Sequence, residues 1–218
     1  MSIPLYYAMP FEAFREGLTI KSAQLDFCFY KDGTLSVPKQ IIPNSPIIIN
    51  DAFSPAQIPE QATISHIISL SSHGCFLDFE RPPSDWSISL LKGLRSQLPV
   101  QRILAVPPAY APYAENSAII IAINHPVNNW TQFCRRQQQT YKKWMLEIIP
   151  YKTTIPKNTK NVKAQTICKA VCICRTDNNG VSYFDTMETI LSKLEIAEYY
   201  GCIAGIGLLH ELEELELL

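Results

Sequence analysis

The feature that most constrains this chain is a series of short, unbroken apolar runs. Pro46-Ile-Ile-Ile-Asn50, Gly74-Cys-Phe-Leu-Asp78, Arg102-Ile-Leu-Ala-Val-Pro107, Ser117-Ala-Ile-Ile-Ile-Ala-Ile-Asn124 and Ile203 to Leu209 show no polar alternation. That is how strands covered on both faces read. Between the runs the periodicity turns helical. Ile64, Ile67, Ile68 and Leu70 share one face of a segment from Ile58 to Ser72, with Gly74 placed to close it. Ser84 can cap a helix whose apolar face is Trp86, Ile88, Leu90, Leu91 and Leu94. Asn128 or Asn129 can cap another to about Tyr141. Asp185 with Glu188 reads as a capping box for a helix to Tyr200, ended by Gly201.

Three further strands complete the pattern: a tyrosine-rich one from Ile3 to Met9, with a helical turn closed by Gly17 after it, then Ala23 to Tyr30 and Lys143 to Ile149. Eight mostly buried strands separated mainly by helices predict a closed parallel barrel of the (β/α)8 TIM type, forming one domain over residues 1–218. An open doubly wound sheet usually carries a glycine-rich phosphate loop, and the sequence has none. Such barrels typically need ~250 residues, so several helices must be trimmed to turns, as in the proline-rich stretch Pro107 to Pro112. Thr153 to Val162 reads as loop. Thr166 to Arg175 and Val181 to Phe184 flank Asp177-Asn-Asn-Gly180, which predicts a β-hairpin near residues 166–184 where a helix would otherwise fall. The chain ends in an acidic, leucine-rich tail.

The charge balance excludes some partners. With 19 basic against 20 acidic residues and a formal charge of -1, there is no field to gather nucleic acid or an anionic membrane. Nor is there an apolar stretch of spanning length or a basic leader before an apolar segment. The seven cysteines are an odd number, mostly in strand-like apolar surroundings. Cys168, Cys172 and Cys174 lack the spacing of structural zinc sites. Buried, reduced thiols, a cytoplasmic location and no metal or other cofactor are therefore expected.

The chemistry concentrates in Gly74 to Pro83. Strand residues two apart share a face and sit roughly 7 Å apart, so Asp78 and Glu80 should project together with Phe76 behind them. Apolar surroundings and mutual repulsion should raise one pKa of that coupled pair, as a general acid requires. Tyr7 on the first strand, Asp51, Asn124, His125, Glu147, Tyr151 and His210 would lie near the same rim, where such barrels keep their active sites. A structural reading stands beside the functional one: acids at a strand end can be solvated or paired with Arg81.

Gly74-Cys-Phe-Leu-Asp78-Phe-Glu80-Arg-Pro82 resembles the fourth-strand signature of the chitinase-like glycoside hydrolase family 18, roughly Asp-Gly-x-Asp-x-Asp-Trp-Glu-Tyr-Pro. Ser89 to Arg95 and Leu104 to Pro107 are similar to the family's next helix and strand. Met145 to Tyr151 is similar to the family's seventh strand, and Tyr183 to Gly201 to the segment before its last. The resemblance implies that Glu80 is a proton donor and Asp78 the neighbour orienting an N-acetyl group, in a substrate-assisted hydrolysis of an N-acetylated glycan. The first two signature aspartates are His73 and Phe76 here, the family's strand-six Tyr-Asp is roughly Asn124-His125, and its strand-eight tryptophan is His210. Those changes remove the acetamido partner and the aromatic floor.

Two alternatives remain on the residues alone. Asp78, Glu80, His125 and His210 could ligate a metal, although no pair has ligand spacing within one element. The barrel could also bind a glycan or a protein partner without turnover. His66 falls within the apolar helix pattern and reads as structural, and Trp86, Trp130 and Trp144 read as core.

Overall fold

The structure is a computed structural model that describes residues 3–17, 19–51, 55, 58–123, 129–150, 152–156, 173–176 and 180–216. Its elements run β1 (Leu5–Met9), a 3-10 turn (Phe11–Ala13), β2 (Lys21–Phe29), β3 (Leu35–Ser36), β4 (Ile47–Asn50), α1 (Gln61–Leu70), β5 (Cys75–Asp78), α2 (Asp85–Gln97) and β6 (Leu104–Val106). Next come a second 3-10 turn (Pro108–Tyr113), β7 (Ala118–Ile123), α3 (Trp130–Thr140), β8 (Trp144–Ile148), β9 (Lys152–Pro156), β10 (Ile173–Thr176), β11 (Gly180–Phe184), α4 (Met187–Tyr199), β12 (Cys202–Leu208) and α5 (Leu209–Glu216).

The main sheet has the order β1-β12-β8-β7-β6-β5-β4-β2-β3, and β1 also pairs with β2. That extra pairing closes eight parallel strands into the expected (β/α)8-type barrel, while β3 adds an antiparallel flap to the end of β2. The short helices also match expectation: Pro107 to Pro112 falls largely within the second 3-10 turn.

Local chemistry explains the helix starts. Ser84 accepts from the Ser87 amide in a reciprocal capping box, and Asn129 accepts from the Gln132 amide. At α4 the cap lies one residue later than expected. Thr186 and Thr189 form the box, and Asp185 accepts from the Thr189 hydroxyl and pairs with Lys193 at 2.5 Å. The leucine-rich tail is helical, with Leu212 buried.

The region expected as loop also differs. Lys152–Pro156 is a strand that pairs antiparallel with β11, so the predicted hairpin, observed as β10 and β11, belongs to a three-stranded sheet. Pairing supplies what the polar, proline-bearing sequence does not suggest. Residues 157–172 and 177–179 of the expected loop and hairpin lie outside the described residues.

Two compact units make up the chain. In Tyr6–Ile121, Phe29 meets Trp86 edge to face at 4.6 Å, and Phe79 lies against both Trp86 and Tyr110. In the other unit, Met1–Leu5 with Ala122–Leu218, Trp130 stacks on Phe133 at 5.2 Å and donates to the Lys193 carbonyl. Trp144 donates to the Tyr200 carbonyl. All three tryptophans are therefore core residues, as expected. His66 instead faces solvent, because only Ile64 and Ile67 of α1 are buried.

Gly74, between α1 and β5, has φ +132°, and a Cβ there would meet the Ile103 carbonyl oxygen at 3.0 Å. Only glycine suits both constraints. Gly74→Ala should lower unfolding free energy by about 1–3 kcal/mol, read as a lower denaturant midpoint with an unchanged slope.

Cys28, Cys75, Cys134 and Cys202 are free, and all but Cys28 are buried. Burial pushes the thiols of Cys75, Cys134 and Cys202 up to about 12. Cys168 and Cys172 lie outside the described residues. None of Cys75, Cys134 and Cys202 should react with a maleimide at about pH 8 until the chain is unfolded. Labelling of any of them in the native protein, read by peptide mass, would contradict this.

Candidate active site

The site is built at the C-terminal end of β5. Parallel pairing sets Ile48 opposite Phe76 and Asn50 opposite Asp78, which brings Asp51, just past β4, beside the residues after β5. Phe79 packs toward α2 and the second 3-10 turn through Trp86 and Tyr110. Alternation therefore turns Phe76 and Asp78 to the opposite, inner face. Tyr6 is there too, edge to face with Phe76 at 5.6 Å.

One expectation is corrected in detail. The strand ends at Asp78, so Glu80 stands beyond the ladder. Burial still alternates, with Phe79 buried between the exposed Asp78 and Glu80. What defines the backbone at Glu80 is a side chain: Asp51 accepts from the Glu80 amide through Oδ1 at 3.0 Å and from the Arg81 amide through Oδ2 at 2.9 Å. Asp51 is only 7% exposed.

The expected rise in proton affinity falls on Asp78. The residue is exposed, yet its carboxyl is partly enclosed by protein. That enclosure, then the charges of Glu80 and Asp51, raises its carboxyl pKa. Tyr6 is likewise raised, by burial. Tyr6 was not singled out by sequence; the signal was its period-two placement in β1, next to the chosen Tyr7, which alternation puts on the other face.

Of the remaining candidates, Glu147 lies in β8 opposite Ile206, and His210 is exposed in the first turn of α5. Asn124, His125 and Tyr151 lie outside the described residues. Among the described residues no group of three or more histidines, cysteines and acids could hold a metal ion, and no helix is long and apolar enough to cross a membrane. Two surface cavities, of about 730 and 260 Å³, are lined respectively by residues around Asp26 and around Trp86, with neither Asp78 nor Glu80 among those lining residues.

Fold and site together define a (β/α)8-type barrel with an acidic pair at the end of one strand. No protein-family model matches the chain, and no curated protein matches it. In fold it is similar to the crystal structure of the Bacillus cereus spore cortex-lytic enzyme SleL, at 12% identity and TM-score 0.54, over 99% of this chain and 74% of that one. It is also similar to the Bacillus megaterium QM B1551 spore cortex-lytic enzyme SleL, at 11% identity and TM-score 0.55, over 99% of this chain and 73% of that one. At these identities the likeness is one of fold.

A carboxyl whose pKa is raised by folding favours its neutral form. Its contribution to stability is present below the unfolded pKa and is lost as pH rises through the folded value. Asp78→Asn should therefore be more stable than wild type at neutral pH, by less than ~1 kcal/mol because the group is solvent-screened. The difference should vanish below about pH 4, as measured by denaturation across pH.

Proposed function

We propose that this barrel hydrolyses an N-acetylated glycan, with Glu80 as general acid and Asp78 as the neighbour that orients the acetamido group. The observation that carries this is the acidic pair at the end of β5, where burial, then the charges of Glu80 and Asp51, raises the Asp78 carboxyl pKa. The acetamido oxygen of the substrate attacks the anomeric carbon while Glu80 protonates the departing glycosidic oxygen. Water then opens the cyclic intermediate and returns a proton to Glu80. Fold likeness to two spore cortex-lytic enzymes supports a glycan substrate.

One observation favours binding without turnover. Phe76, at the position of a signature aspartate, is buried against Tyr6 and offers no acceptor to Asp78 or to an acetamido group. The test is chromophore release from N-acetylglucosaminides and product release from peptidoglycan fragments. Wild type should act on at least one of them, and Glu80→Gln should lose ~10² to 10⁴ in rate. Activity that survives Glu80→Gln would reject the acid. Binding of the glycans without hydrolysis would leave a glycan-binding barrel.

A further inference from the structure

We propose that Asp51 and Tyr110 are positioning residues: together they hold the backbone segment that carries Glu80, and neither meets the substrate. The ladder of β5 ends at Asp78, so strand pairing does not define the direction of the Glu80 side chain. Three other bonds do. Asp51 gives one carboxylate oxygen to each of two consecutive amides, Glu80 at 3.0 Å and Arg81 at 2.9 Å. Consecutive amides converging on one anion form the concave arrangement that proteins use to bind anions, and here a neighbouring strand's side chain is that anion. The Tyr110 hydroxyl donates to the Arg81 carbonyl at 3.1 Å, with Ser87 Oγ at 3.3 Å.

Both groups are unsuited to touch a glycan. Asp51 has both oxygens occupied and is 7% exposed, while Tyr110 is 1% exposed. Their pull on the segment is also directional. The amides of Glu80 and Arg81 are drawn toward the end of β4, and the Arg81 carbonyl toward the turn after β6. The peptide units on either side of the Glu80 Cα are both held by Asp51, which sets the Glu80 Cα–Cβ direction, and the next peptide unit is held by Tyr110. Asp51, expected at the rim among the site residues, thus serves as support and not as a glycan contact. It rests on the proposed function only in taking Glu80 as the acid.

Two mild variants test it. Asp51→Asn replaces one acceptor oxygen with a donor that would face an N–H. Tyr110→Phe removes a hydroxyl and keeps the ring that packs on Phe79. In Asp51→Asn, the Glu80 and Arg81 amide protons should exchange about 10-fold faster and their resonances should move, as expected for loss of a charge-assisted bond. In Tyr110→Phe the Arg81 carbonyl carbon resonance should move. On an active glycan substrate each variant should lower kcat about 10-fold, the scale of a misplaced catalytic group, and leave KM unchanged. Unaltered amide exchange in Asp51→Asn would overturn the proposal, as would a raised KM with unchanged kcat, the mark of a direct contact. If wild type is inactive on every glycan, the proposed function fails, and amide exchange and the carbonyl shift still decide whether the segment is held in this way. Should Asp51→Asn not fold, Tyr110→Phe alone decides, through the carbonyl shift and the split between kcat and KM.

Discussion

A buried parallel strand has no water to satisfy its amides and carbonyls, so it must pair on both sides and must do so in register. β4 shows the consequence. Its four residues match β5 from Ile47 opposite Cys75 to Asn50 opposite Asp78, and its other edge pairs with β2. Once that register is set, the next residue along, Asp51, has to arrive beside the chain leaving β5. The acidic site results from backbone pairing before any side chain has expressed a preference.

Three carboxylates then meet at one strand end, and packing gives them different environments. Asp51 is enclosed and turned onto two backbone amides, whose dipoles answer its charge. Asp78 is only partly enclosed and lies near two other acids. Glu80 projects to solvent from a backbone that the first of them holds. Like charges brought together in this way oppose folding unless they are distributed between such environments. The arrangement sets a carboxyl of raised proton affinity beside a second exposed carboxyl.

Fold likeness and site chemistry carry different weight. Barrels of this architecture host many reactions, and the residues at the ends of their strands decide which. The two spore cortex-lytic enzymes share the architecture at 11% and 12% identity. In this chain, Tyr6 and Phe76 meet edge to face at 5.6 Å, and strand alternation puts Asp78 on the same face as Phe76.

Short-range pattern was enough for much of the fold. The apolar runs at Ile47–Asn50, Cys75–Asp78, Leu104–Val106 and Ala118–Ile123 became strands, and Ser84 and Asn129 became caps, because burial period and capping depend on residues a few positions apart. The number and spacing of the runs determined the barrel class. Tertiary structure alone decided what depends on distant partners. Lys152–Pro156 is a strand because β11 lies beside it, despite polar residues and a proline. Thr186 rather than Asp185 caps α4 because Asp185 is taken up by Lys193 and the Thr189 hydroxyl. Glu80 leaves the ladder and is held by Asp51, 29 residues earlier. Sequence showed that each of these acids was present near a strand end. Which one would face amides and which would have its proton affinity raised was fixed by the strand register, since the relevant partners are neighbours only across the sheet.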